Sequence, residues 1–173
     1  MKKIILAMVA VMVPLMLSAG STDFWFRHFS VEDGLSSSAV RAIMQDKYGF
    51  MWLGTDDGLN RYDGTTIKIY RLNPEGVNDY ISFLYDTTDR IWIGTGDGVY
   101  IYDYETENFE PFKLLTAKGD SIKTNVNHIA EDRDGNLWFS TVDQGIFKYN
   151  VSKHYLERYE FKDADGLMAS VLI

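Results

Sequence analysis

One stretch of the chain returns three times, and that period limits the fold more than any other feature. "DKYGFMWLGTDDGLNRYDG" runs from Asp46 to Gly64, "DTTDRIWIGTGDGVYIYDY" starts at Asp86, and "DRDGNLWFSTVDQGIFKYN" starts at Asp132. Trp52, Trp92 and Trp138 are separated by 40 and 46 residues. Each follows an Asp by six residues (Asp46, Asp86, Asp132) and precedes a Thr by three (Thr55, Thr95, Thr141). Gly58, Gly98 and Gly145 come next, then Tyr62, Tyr102 and Tyr149. The third copy carries one extra residue between its Thr and its Gly. A unit of this size cannot bury both of its faces alone, so copies must stack on one another. A period of roughly 40 residues fits a propeller blade of four short strands.

The first copy divides into runs rich in β-branched and aromatic residues, bounded by Gly and Asp. These are Val40–Asp46, Phe50–Thr55, Leu59–Asp63 and Thr65–Tyr70. The second gives Ile81–Asp86, Ile91–Thr95, Val99–Tyr102 and Asn108–Phe112; the third gives Val126–Asp132, Leu137–Thr141, Ile146–Tyr149 and Tyr155–Phe161. Asp46 and Gly49 form the first hairpin turn, the carboxylate accepting from backbone N–H groups and the glycine tolerating positive φ. Trp52 then points into the gap between blades. Gly54, two residues on and on the same face, leaves room for an indole.

Two further segments match each other. Phe29, Asp33, Gly34 and Leu35 correspond to Phe161, Asp165, Gly166 and Leu167. The chain therefore reads as all-β, a partial β-propeller of three four-stranded antiparallel blades plus an orphan N-terminal strand. Residues 1–20 are a signal peptide and 21–39 an orphan outer strand and link. The blades are 40–70, 81–112 and 126–161, and 162–173 is a link into a fourth blade that the sequence does not show. Closed rings use about four to eight blades, so a longer propeller or a partner chain is expected to cover the open blade faces.

The leader is different in kind. Lys2 and Lys3 precede an apolar run of 14 residues, Ile4 to Leu17, and then Ser18, Ala19 and Gly20. This is the pattern of a cleaved secretory signal, and the run is shorter than the ~20 residues of a spanning helix. It predicts a periplasmic protein. The composition is globular, with 46% hydrophobic and 14% aromatic residues. There is no cysteine, which removes disulfides and thiolate metal sites. The formal charge of −8 becomes −10 once Lys2 and Lys3 are gone. Such a balance argues against nucleic acid and anionic membrane partners.

"VEDGLSSSAVRAIMQDKYGFMWLGTDDGLNRYDG" closely resembles the two-component regulator propeller repeat. The shared features are the D-G-L-S link, then D-x-x-G-x-x-W-x-G-T, then G-L-x-x-Y-D. The later copies are looser, with Asp89 for the turn Gly, Ser140 for Gly54 and Asn150 for the final Asp. The resemblance implies the periplasmic sensor region of a hybrid two-component system, of a kind abundant in gut Bacteroidetes. Its usual ligands are oligosaccharides. Neither a phosphoacceptor-histidine helix nor a Gly-rich ATP lid is present, so no enzyme activity is expected of the chain itself.

The repeat also sorts the polar residues. His28, His128 and His154 have no metal-ligand spacing, and neither a metal nor a cofactor is expected. Asp46, Trp52, Gly58, Asp86, Trp92, Gly98, Asp132, Trp138 and Gly145 recur by position and are assigned to the architecture. Trp25 and the inter-blade loops escape the repeat, and loops are where binding residues gather. The candidates for ligand binding are thus Trp25, Arg71, Asn73, Tyr80, Lys113 and Lys118. The alternatives are a fragment of a propeller-scaffold polysaccharide lyase or glycosidase, which needs non-repeated facing carboxylates, or a protein–protein interaction module.

Overall fold

The computed structural model describes residues 26–73 and 79–160. The leader, Trp25 and residues 161–173 lie outside them. Three four-stranded antiparallel sheets follow one another along the chain as the blades of a propeller. The first contains β1 (Val40–Gln45), β2 (Met51–Thr55), β3 (Gly58–Tyr62) and β4 (Ile67–Tyr70). The second contains β5 (Ile81–Asp86), β6 (Arg90–Thr95), β7 (Gly98–Asp103) and β8 (Asn108–Pro111). The third contains β9 (Val126–Glu131), β10 (Leu137–Thr141), β11 (Ile146–Asn150) and β12 (Tyr155–Tyr159). The first strands of successive blades pack against one another, β1 on β5 and β5 on β9. They are therefore the inner strands. Each inner pair carries one register shift, between Val40 and Ala42, between Ile81 and Phe83, and opposite Ser140 and Thr141. A bulge in the same place adds twist in every blade.

The core is the space between blades. Each blade has a leading face, turned to the blade before it, and a trailing face, turned to the blade after it. Trp52 leaves the trailing face of blade 1 and is fully buried. Across the gap Tyr102 lies 5.1 Å away, while Tyr70 of its own blade stacks at 5.8 Å. Trp92 repeats the arrangement with Tyr149 at 5.7 Å. The repeated Tyr thus clasps the repeated Trp of the preceding blade. Tyr62 has no preceding blade among the described residues. Phe29 meets its ring at 4.9 Å, and Arg27 Nη1 donates to its hydroxyl at 3.0 Å.

That contact is what holds the described part of the orphan segment. Residues 26–30 form no strand, and a short 3₁₀ turn follows at Val31–Asp33. A strand exists through its ladder, and no described strand pairs with this segment. It is held by side chains and by the capping box of Ser30 with Asp33.

The gap beside Gly54 is filled by Ile81 of blade 2, not by an indole. A Cβ at Gly54 would lie 2.6 Å from Ile81 Cγ2 and 3.2 Å from its carbonyl oxygen. The inner strands approach more closely than the outer ones, so an aliphatic side chain reaches the glycine first. Gly54→Ala is expected to cost about 1–3 kcal/mol as overpacking. A urea unfolding midpoint unchanged from the parent would refute that close approach.

Candidate functional site

The rim formed by the β2–β3, β6–β7 and β10–β11 turns and by the inter-blade loops is the upper rim. Backbone bonds tie each loop to a turn. Gly58 N donates to Asp79 O at 2.9 Å, Gly96 N to Tyr80 O at 3.1 Å and Val142 N to Asn125 O at 3.0 Å. A buried Thr braces each turn from within: Thr55, Thr95 and Thr141 donate their hydroxyls to Gly58, Gly98 and Gly145 carbonyls at 2.9, 3.0 and 2.7 Å.

The candidate binding residues separate into two groups on this rim. Arg71 forms an ion pair with Asp57, its Nη2 donating to Oδ2 at 2.9 Å, and stands 3.9 Å from buried Asp79. Asn73 N donates to Asp79 Oδ1 at 2.9 Å. Tyr80 is half-buried, with the Arg41 guanidinium 5.8 Å from its ring centre. This first group fastens the loop to blade 1. Lys113 and Lys118 are exposed on the next loop, each in a different hollow. Lys113 lines a cavity of about 350 Å³ with Asp97, Tyr100 and Lys123. Lys118 lines one of about 360 Å³ with Asp120, Glu157 and Arg158. The structure does not bring the two groups together, and Trp25 lies outside the described residues.

Asp97, Tyr100 and Lys123 were not singled out from the sequence. A signal for Tyr100 existed: its register position holds Asn60 in blade 1 and Phe147 in blade 3, so it does not follow the repeat. Burial, followed by the charges of Asp97 and Asp79, pushes the Tyr100 hydroxyl up, which keeps it protonated at neutral pH. The hollow thus offers a hydroxyl, a carboxylate and two ammonium groups around a partly apolar wall that includes Phe112 and Ile122. Among the described residues, no group of three or more His, Asp or Glu side chains gathers as a metal site. His128 packs on Phe83 at 4.3 Å, and His154 Nδ1 meets the Tyr149 hydroxyl at 2.8 Å.

On the lower rim the Asp of the first hairpin turn binds its own Trp. Trp52 Nε1 donates to Asp46 Oδ2 at 2.7 Å, while Tyr48 N and Phe50 N donate to Oδ1 at 2.9 and 3.0 Å. Asp132 does the same for Trp138 Nε1 at 3.0 Å and for Asp134 N and Asn136 N. Asp86 departs from the pattern and accepts from the Tyr104 hydroxyl at 2.8 Å. Asp89 replaces the left-handed Gly of the other two turns, Gly49 and Gly135. The turn instead closes from Thr87 N to Arg90 O at 2.9 Å.

The indole of Trp138, followed by the Asn136 amide, holds the Asp132 carboxyl well below the usual carboxylate range. An unfolded Asp titrates near ~3.9. Above that pH both states are ionised and the contribution is whole. As pH falls, the unfolded chain takes the proton first and stability is lost. Asp63, with Thr66 and Thr65 as donors, and Asp57, with Arg71, act in the same direction. The urea midpoint is expected to fall between roughly pH 5 and pH 2, and less steeply in Asp132→Asn. Identical slopes for parent and variant would exclude this role.

The Two component regulator propeller profile matches residues 34–57 and 121–143. Fifty-nine residues are 56% identical to Histidine kinase P4 of Formosa agariphila, covering 34% of this chain and 4% of that protein. A crystal structure described as the extracellular domain of a hybrid two component system of B. thetaiotaomicron, BT3049, aligns with TM-score 0.68 and 30% identity. The alignment covers 77% of this chain and 20% of that one. A second such domain, BT4673, aligns over 84% of this chain and 23% of its own with TM-score 0.60 and 23% identity, a likeness of fold. The chain thus spans a quarter or less of each of these relatives.

Proposed function

We propose that this chain, which belongs to the two-component regulator propeller repeat family, forms part of the extracytoplasmic input domain of a two-component sensor and takes an oligosaccharide at its upper rim. The kinase step belongs to a separate catalytic domain, and the chain is not itself an enzyme. The observation that carries the ligand reading is the upper-rim cavity of Lys113, Lys123, Asp97 and Tyr100. It is built by a loop outside the repeat, next to turns that the repeat holds rigid. Its volume of about 350 Å³ suits one or two sugar units, at the lower end of ligand pockets. Charged and hydroxyl donors beside an apolar wall suit a hydroxyl-rich ligand.

The test is thermal melting of the purified protein with neutral and acidic oligosaccharides. Ligand at about a hundred times its Kd stabilises by roughly 2.7 kcal/mol, a clear rise in Tm. Lys113→Ala combined with Lys123→Ala should abolish the rise and leave the unliganded Tm in place, because both side chains are exposed. Breakdown of the glycan during the titration would point to the lyase or glycosidase reading. A rise that survives the double variant would remove this cavity from consideration.

A further inference from the structure

We propose that the lower-rim cleft between blades 2 and 3 is a second binding site, for a small primary amine that also carries an oxygen acceptor. Its walls come from blades 2 and 3 alone and use neither open blade face. The inference is independent of the oligosaccharide reading, which concerns the upper rim.

The repeat sets one carboxylate beside each indole, and blade 2 breaks that pairing. Asp46 accepts from Trp52 Nε1 at 2.7 Å, and Asp132 accepts from Trp138 Nε1 at 3.0 Å. Asp86 is taken by the Tyr104 hydroxyl instead, at 2.8 Å. Tyr104 stands two residues after the repeated Tyr, where blades 1 and 3 have Gly64 and Val151. Neither of those has a side-chain donor, so only blade 2 loses its carboxylate in this way. Trp92 Nε1 is left without an acceptor among the described residues, although the residue is only 3% exposed. A donor so nearly buried is rarely left unpaired in a native chain.

The two clefts inside the chain differ accordingly. Between blades 1 and 2 the cavity is about 360 Å³, and its wall includes Asp46 but not Trp52. Between blades 2 and 3 it is about 470 Å³, and its wall includes Trp92 but not Asp86. In the first cleft a carboxylate of the chain covers the indole N–H. In the second the indole itself borders the hollow, whose volume lies in the range of small-molecule sites.

The other walls set the second requirement. Asp89 is balanced by Arg90, whose Nη2 lies 2.8 Å from Oδ2. Glu131, from blade 3, accepts one hydroxyl, that of Tyr85 at 3.2 Å, and forms no ion pair among the described residues. With His154 neutral, the lining therefore carries one uncompensated carboxylate. Tyr149 and His154, joined hydroxyl to Nδ1 at 2.8 Å, add aromatic rings to the same wall. An ammonium group suits a carboxylate and aromatic rings together. An oxygen acceptor on the same molecule suits the indole N–H. A simple anion would meet Glu131 and Asp89, and a neutral polyol would leave the Glu131 charge as it is. Amino acids and amino sugars both carry the required pair of groups.

Glycine and glucosamine are the probes, with acetate and glucose as counterparts that lack the amine. Titrated into ¹⁵N-labelled protein, the amines are expected to move the Trp92 indole resonance. Those of Trp52 and Trp138, whose N–H groups already have acceptors, should stay in place. Trp92→Phe identifies the resonance by its loss; if that variant does not fold, a ligand-induced rise in Tm carries the same test. Glu131→Gln, at an exposed position, should keep the unliganded Tm and weaken binding about tenfold or more. Lys113→Ala with Lys123→Ala should leave the binding unchanged. The tighter of the two amines identifies the source as an amino acid or an amino sugar. No saturable response to either amine, equal affinity for acetate or glucose, or a Glu131→Gln variant that binds as the parent does would each overturn the proposal.

Discussion

Trp52→Ala is expected to lower the stability of the chain by about 3–5 kcal/mol, the cost of deleting a large aromatic from a closed core. The indole is fully buried and touches both blades of the interface. Tyr102, Tyr70 and Phe109 surround it at 5.1, 5.8 and 6.4 Å. Its removal leaves a cavity between two sheets whose backbones are fixed by their own ladders, so little of the void can close. Trp52→Phe should cost less, about 1–3 kcal/mol, because a ring remains while the indole donor to Asp46 is lost. Urea unfolding with an unchanged slope reads both values as stability. A Trp52→Ala cost no greater than that of Tyr48→Ala, at a residue 63% exposed, would show that the blades do not depend on their contact.

Much of this architecture is legible in the amino-acid order, for a definite reason. A residue type that returns at one register position in three sheets is selected by the sheet, and period alone reveals it. Trp52, Trp92 and Trp138, with their Thr and Gly partners, therefore announce three four-stranded blades. What stayed hidden depends on contacts between residues far apart in the chain. Ile81 fills the space at Gly54 because the inner strands meet there, and no spacing announces that approach. Phe24–Phe29 has the composition of a strand, yet residues 26–30 pair with no described strand.

The candidate site shows the same limit. Arg71 and Asn73 lie outside the repeat, as binding residues would, but both engage Asp79, and Arg71 also pairs with Asp57. An irregular loop needs its own anchors, and their side chains resemble ligand contacts when read in one dimension. Lys113 and Lys118 are on the same loop and face different hollows. Which loop residues converge is decided by how the loop folds back on the turns, where Lys123 N donates to Gln144 Oε1 at 2.9 Å.

The second large effect is Asp46→Ala, expected to cost about 2–4 kcal/mol, while Asp86→Ala costs about 1 kcal/mol. The two residues occupy one position in the repeat and look interchangeable in sequence. Asp46 is 5% exposed and receives three N–H groups: two from the hairpin turn and one from the buried indole. Alanine leaves all three without their acceptor, and an unmet buried donor costs about 1–3 kcal/mol. Asp86 is only half-buried and receives one hydroxyl, from Tyr104. Its turn is closed by Thr87 and Arg90, which the substitution does not touch. A cycle of Asp46→Ala with Trp52→Phe should show coupling, because each change removes one end of the same hydrogen bond. Costs that add without coupling, or equal losses for Asp46→Ala and Asp86→Ala, would mean that the carboxylate–indole bond does not hold the turn to the blade.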